Sequence, residues 1–268
     1  MRLRHWVSAL AIAGLLLGGS AATFGAEKKP IHDPDAFGSL QTPSLEKARG
    51  QAETWLKATG KMDPVTQKAF AEIWDQPDRA ILNRVADTLV LGNAAAAKLL
   101  EDARDPSSQA PKEVPSIIKD LKLPAYFRAN LALAYAKALS NRRVYEEALD
   151  ALTAVKPEQV VDPASYFFHR AVAEHALIRR DDAVRSIARL LDDVTDAPDR
   201  YRLVSLLMFV DMQSWKEKDL DWIARKMDNI ERRLDLARGG PQTQKIQREV
   251  VARLDEIIKE LENRKKGS

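Results

Sequence analysis

Apolar residues along this chain recur mostly at three- and four-residue steps, the spacing that lines one face of an α-helix. Beyond the first 26 residues no stretch alternates apolar and polar positions long enough to form a strand, so the pattern predicts an all-α fold. Residues 27–43, with Pro30, Pro34 and Pro43, read as an extended lead-in. Ser44 is a natural N-cap for a helix carrying Leu45, Ala48, Ala52, Trp55 and Leu56. Asp63-Pro64 opens a second, with cap residue and first-turn proline in the favoured order. A third run, from about Asp78 to Ala103, sets Ile81, Val85, Leu89, Gly92, Ala96, Leu99 and Leu100 along one side. These elements define an N-terminal helical region over 44–104. Pro106, Pro111, Pro115 and Pro124 then mark 105–124 as a linker or hinge.

Within the helical-hairpin domain expected over 125–215, residues 125–198 carry an internal repeat. Ala136 and Ala148 stand twelve residues apart, and Ala171 and Ala183 repeat that pair 35 residues later. Tyr145-Glu146-Glu147-Ala148-Leu149 and Arg180-Asp181-Asp182-Ala183-Val184 occupy matching places, as do Leu152 and Ile187. A period of this length predicts stacked helical hairpins, whose close crossings need small side chains. On these residues the stretch 125–198 resembles a pair of tetratricopeptide repeats; a generic bundle of paired helices with alanine-rich contacts is the alternative. The resemblance implies that the first helix of each hairpin lines a concave, partner-binding face. That face would show Asn130, Leu133, Lys137 and Asn141 from one repeat and Ser165, Phe168, Val172 and His175 from the next. Its mixed polarity suits capture of a protein or peptide segment. The segment from Tyr201 to Trp215 is apolar nearly all round, which predicts a buried helix closing the stack.

The last third, 216–268, predicts a helical hairpin of coiled-coil character. Leu220, Ile223, Met227, Ile230 and Leu234 step by three and four, Gly239-Gly240-Pro241 breaks the chain, and Val251, Leu254, Ile258 and Leu261 resume heptad spacing. The stripe requires a partner helix, either within the hairpin or, as a second arrangement, in another copy through self-association of the last helix. With its Gly-Gly-x-x-Thr-Gln-x-x-Gln start, this module also resembles uncharacterised secreted proteins of planctomycete-type bacteria; that resemblance implies no activity.

The first 26 residues stand apart. Arg2 and Arg4 precede an apolar run from Trp6 to Leu17 interrupted by Ser8, and Gly18 to Ala22 are small. That is the layout of an export signal, and the run is too short for a retained membrane span. The expected destination is the periplasm or the medium. Removing the signal takes two of the 42 Lys and Arg residues away and leaves them almost matched to 39 Asp and Glu, so no field for nucleic acid or anionic membrane is expected. The chain has no cysteine, which excludes disulfides, thiolate chemistry, cysteine-ligated metals and a lipidated N-terminal cysteine.

Catalytic patterns are missing as well. His169 and His175 lie six apart and so on different faces of a helix, unlike the four-residue spacing of a zinc pair. No phosphate-binding glycine loop or nucleophile elbow occurs, and no cofactor is expected. Glu146-Glu147, Asp181-Asp182 and Asp192-Asp193 read as solvated helix caps. Two functions remain: an exported non-catalytic scaffold for a protein or peptide, or an exported helical lyase or hydrolase acting on cell-wall or glycan material through paired carboxylates.

Overall fold

The computed structural model describes residues 37–267, and the export signal expected at 1–26 lies outside them. The described chain is helical: α1 Leu45–Ala58, α2 Pro64–Trp74, α3 Ile81–Gly92, α4 Ala94–Arg104, α5 Ser116–Lys119, α6 Ala125–Asn141, α7 Tyr145–Thr153, α8 Pro163–Ala176, α9 Arg180–Asp192, α10 Asp199–Gln213, α11 Leu220–Asp235 and α12 Pro241–Lys266. No strand occurs among the described residues; one isolated parallel bridge joins Leu40 to Val194. No helix among them is long and apolar enough to cross a membrane.

Local chemistry explains the helix starts. Ser44 Oγ accepts from the Lys47 amide, and Asp63 Oδ1 takes the Val65 and Thr66 amides ahead of Pro64. The third run is two helices, not one. At Asn93 the backbone turns extended (φ −147°, ψ 112°), and its side chain caps α4 through the Ala96 amide. Gly92 closes α3 against Trp55; a Cβ there would fall 2.3 Å from Trp55 Cη2.

Segment 105–124 is no free hinge. Val114 and Ile118 enter the main core, and the Arg142 guanidinium binds the Asp102 and Ser108 carbonyls. Apolar contacts therefore hold the prolines in place. Helix α6 is the hub, packed by α3, α4, α5, α7 and α8, with Leu131, Leu133 and Leu139 fully buried. Trp55 stacks on its Phe127 at 5.3 Å.

The 35-residue offset is visible in the backbone. Arg143 and Ile178 both adopt left-handed φ (61° and 60°). Val144 and Arg179 then donate back to Leu139 O and Glu174 O, so the α6–α7 and α8–α9 turns close with the same geometry. Ala136, Ala148, Ala171 and Ala183 have no exposed surface. The expected burial of the next helix fails. On α10 only Tyr201, Ser205 and Met212 are buried, while Leu203, Leu207 and Val210 are 60, 61 and 65 % exposed. An apolar helix is covered on as many sides as it has neighbours, and α10 packs mainly on α8 and α9. Helices α11 and α12 pair with each other, with Ile223 and Val250 inside and Val251, Leu254, Ile258 and Leu261 outside.

Candidate functional site

A cleft of about 860 Å³ opens where the hairpin stack meets the α11–α12 module. Its floor begins with the acids in the first turn of α7, where helix-end amides favour negative charge. Opposite stand Arg232 and Arg233 in the last turn of α11, and Arg238, which follows the left-handed Ala237. Arg232 grips Glu146 with two bonds, Nη1 to Oε2 and Nη2 to Oε1, both 2.8 Å. Arg233 Nη1 donates to the same Oε1, and Arg238 Nη2 donates to Glu147 Oε2 at 2.9 Å and to Pro111 O at 2.6 Å. Burial alone would raise the Glu146 carboxyl's pKa; the Arg232 hydrogen bonds and the charges of Arg232 and Arg233 outweigh it and hold the group below its ordinary range.

These contacts correct the reading of Glu146-Glu147 as solvated caps, since Glu147 is buried and Glu146 is nearly so. Asp193 is likewise buried, with Arg189 Nε 2.7 Å from its Oδ2. Asp182 does remain near the surface, held by Arg179 and Arg185. The remaining cleft wall is mixed: Leu149, Leu177, Trp222 and Ile246 are apolar, and Lys112, Arg179 and Lys226 bring further positive charge. Lys226 binds Glu249 at 2.8 Å and lies 4.9 Å from the Trp222 ring. The cleft is thus lined by five cations, counting Arg233 and Arg238, against the carboxylates of Glu146, Glu147 and Asp150.

The residues expected on a concave face lie elsewhere: three are buried, four are partly buried and one is exposed. Asn130 is buried; its amide donates to Tyr126 O and its Oδ1 accepts from the Val161 amide, both at 2.8 Å. Leu133 is core, and Ser165 is buried between Asp162 Oδ2 and Tyr201 Oη. Phe168 stacks on Tyr201 at 4.1 Å, with Val172 partly buried one turn further on. Lys137 is half-buried 3.5 Å from Asn83 Oδ1, and burial lowers its pKa. Asn141 is exposed at the end of α6, and His175 Nε2 meets Asp211 Oδ2 at 2.9 Å. The inner face of α6 and α8 is filled by α3 on one side and α10 on the other, so these residues do not converge on an open groove.

Two buried polar groups sit apart from the cleft. Glu174 accepts from Ser186 Oγ at 2.5 Å and from Arg170 Nε at 2.9 Å, tying α8 to α9, and burial raises its pKa. His169 is buried with no hydrogen bond to Nε2; burial, with Lys137 and Arg200 nearby, pulls its pKa down to about 4. No group of three His, Cys, Asp or Glu among the described residues is placed to hold a metal ion. The cleft was illegible in sequence because its carboxylates and arginines lie 86 to 92 residues apart. Comparison with protein-family models, curated proteins and solved structures finds no match to the chain.

Proposed function

We propose that the protein is an exported, non-catalytic scaffold of tetratricopeptide-like helical hairpins that holds an acidic, partly apolar segment of another protein in the cleft between the stack and α11–α12. The observation that carries the reading is the cleft's lining: an apolar wall around Trp222 beside the exposed Lys112, the one of the five cations with no carboxylate partner among the described residues, in a volume sized for several side chains. The cleft carboxylates favour binding over catalysis, because arginines already pair with Glu146 and Glu147, and the Glu146 carboxyl, held below its ordinary range, is not poised to donate a proton. The leader at 1–26 supports export, and the matched turns at Arg143 and Ile178 support the repeat reading. The binding surface of this reading is the cleft, not the inner face of α6 and α8.

Titration of the exported form with an acidic peptide containing leucine and phenylalanine, read by tryptophan fluorescence, tests it. Saturable binding that weakens with salt and falls about tenfold in Lys112→Glu is expected, since a charge-assisted contact is worth roughly 1.5–3 kcal/mol. Equal binding of a lysine-substituted peptide, or release of sugar fragments from cell-wall material by the purified chain, overturns it.

A further inference from the structure

The outer face of α10 is an apolar surface the fold leaves bare, and α10 contributes no residue to the cleft, so a role for this face is independent of the cleft reading. At 3.6 residues per turn, Leu203, Leu206, Leu207 and Val210 fall in one stripe opposite the buried Tyr201, Ser205 and Met212. Val204 and Phe209 border the stripe, giving on the order of 500 Å² of apolar surface, a patch that on a single chain marks an interaction site.

We propose that this face pairs with the same face of a second copy, the two α10 helices running antiparallel about a two-fold axis. The stripe is self-complementary in polarity: Leu203 to Val210 is apolar but for Ser205, with Arg200 and Arg202 before it and Asp211 after. Helical geometry places Arg200, Val204 and Asp211 along one edge and Arg202 and Phe209 along the other. An antiparallel two-fold keeps edges together and exchanges ends. Each Arg200 therefore comes beside the partner's Asp211, and each Arg202 beside the partner's Phe209 ring. A parallel pair would instead set Arg200 against the partner's Arg202, a like-charge contact that disfavours it.

Both arginines suit this role. Arg200 lies over its own Tyr201 ring at 5.0 Å, and Arg202 Nε is buried with no hydrogen bond among the described residues. Two copies together cover about 1,000 Å², the lower bound for a specific interface, so a dimer of modest strength is expected. The exposed residues of α12 have no comparable end-to-end charge match and are the competing surface.

The chain has no cysteine, so single introduced cysteines report the contact cleanly. Light scattering on the exported form should show the mass rising to a dimer with concentration. Under mild oxidation Leu207→Cys, next to the axis, should form a covalent dimer. Val210→Cys alone should not, but should cross-link when mixed with Leu203→Cys. Leu207→Asp should stay monomeric while melting as the parent does. A monomer at every concentration up to roughly 100 μM, self-cross-linking of Val210→Cys, or a dimer that survives Leu207→Asp on the α12 surface overturns the proposal. If Leu207→Asp fails to fold, the cysteine pair still decides.

Discussion

Replacing Glu146 by glutamine keeps its shape and removes the one charge on which three arginines converge. Arg232 and Arg233 are 3 and 8 % exposed at their side chains, so their cations lose their main counter-charge where water cannot substitute. Breaking one partner of a buried pair costs about 3–5 kcal/mol, against a total stability on the order of 5–15 kcal/mol. With a urea slope near 2–3 kcal/mol per molar, the midpoint should fall by about 1–2 M. The loss should be local at first. Amides of α11 should exchange faster before those of α6, because Arg232 also ties α11 to the Arg143 carbonyl at the α6–α7 turn. A double-mutant cycle with Arg232→Gln should return a coupling above about 1 kcal/mol. A midpoint shift worth less than about 1 kcal/mol, with exchange in α11 unchanged, would refute the claim that this cluster fastens the hairpin to the stack.

Three further outcomes are expected. His169 binds a proton less readily when folded, with a pKa of about 4 against 6.5 unfolded, so its contribution is complete above pH 6.5 and is lost as pH falls toward 4. That contribution amounts to about 3 kcal/mol, and Lys137 and Arg200 act in the same direction; melts across this window should flatten in His169→Phe. Ala148→Leu and Ala183→Leu should each cost roughly 1–3 kcal/mol in urea melts by overpacking a sealed helix crossing, and costs under about 0.5 kcal/mol for both would contradict the shared packing. Gly92→Ala should drop the melting temperature, with a shift in Trp55 fluorescence, because its methyl group must displace the indole that stacks on Phe127.

Local chemistry was readable where a residue acts on its neighbours. Ser44 and Asp63 announce their helices, and the alanines of the 35-residue period fall on sealed crossings. The break at Asn93 escaped because apolar spacing runs through it, although asparagine before four alanines is itself a cap signal. Periodicity gives the faces of a helix but not its neighbours. Nearly uniform apolarity thus meant burial for α6, packed on all sides, and exposure for α10, packed mainly on α8 and α9. The supposed concave face failed for the same reason, since nothing in Phe168 announces Tyr201 stacked against it. The Glu146 cluster depends on a tertiary contact that no window of sequence contains.

The pairing of Leu40 with Val194 has a consequence for the order of assembly. Gly38 and Leu40 donate to the Asp192 and Asp193 carbonyls, Thr195 returns a bond to Leu40, and the Thr42 amide meets the Asp196 carboxylate. The strap leading into α1 is thereby stitched to the connector between α9 and α10, about 154 residues downstream. A chain delivered N-terminus first must hold that strap unsatisfied until the connector emerges, and distant contacts of this kind slow folding. The early helices can gather around α6 as soon as it appears, but the strap is fastened only after Asp196 has emerged. Until then the Gly38 and Leu40 amides lack the Asp192 and Asp193 carbonyls that take them in the finished fold.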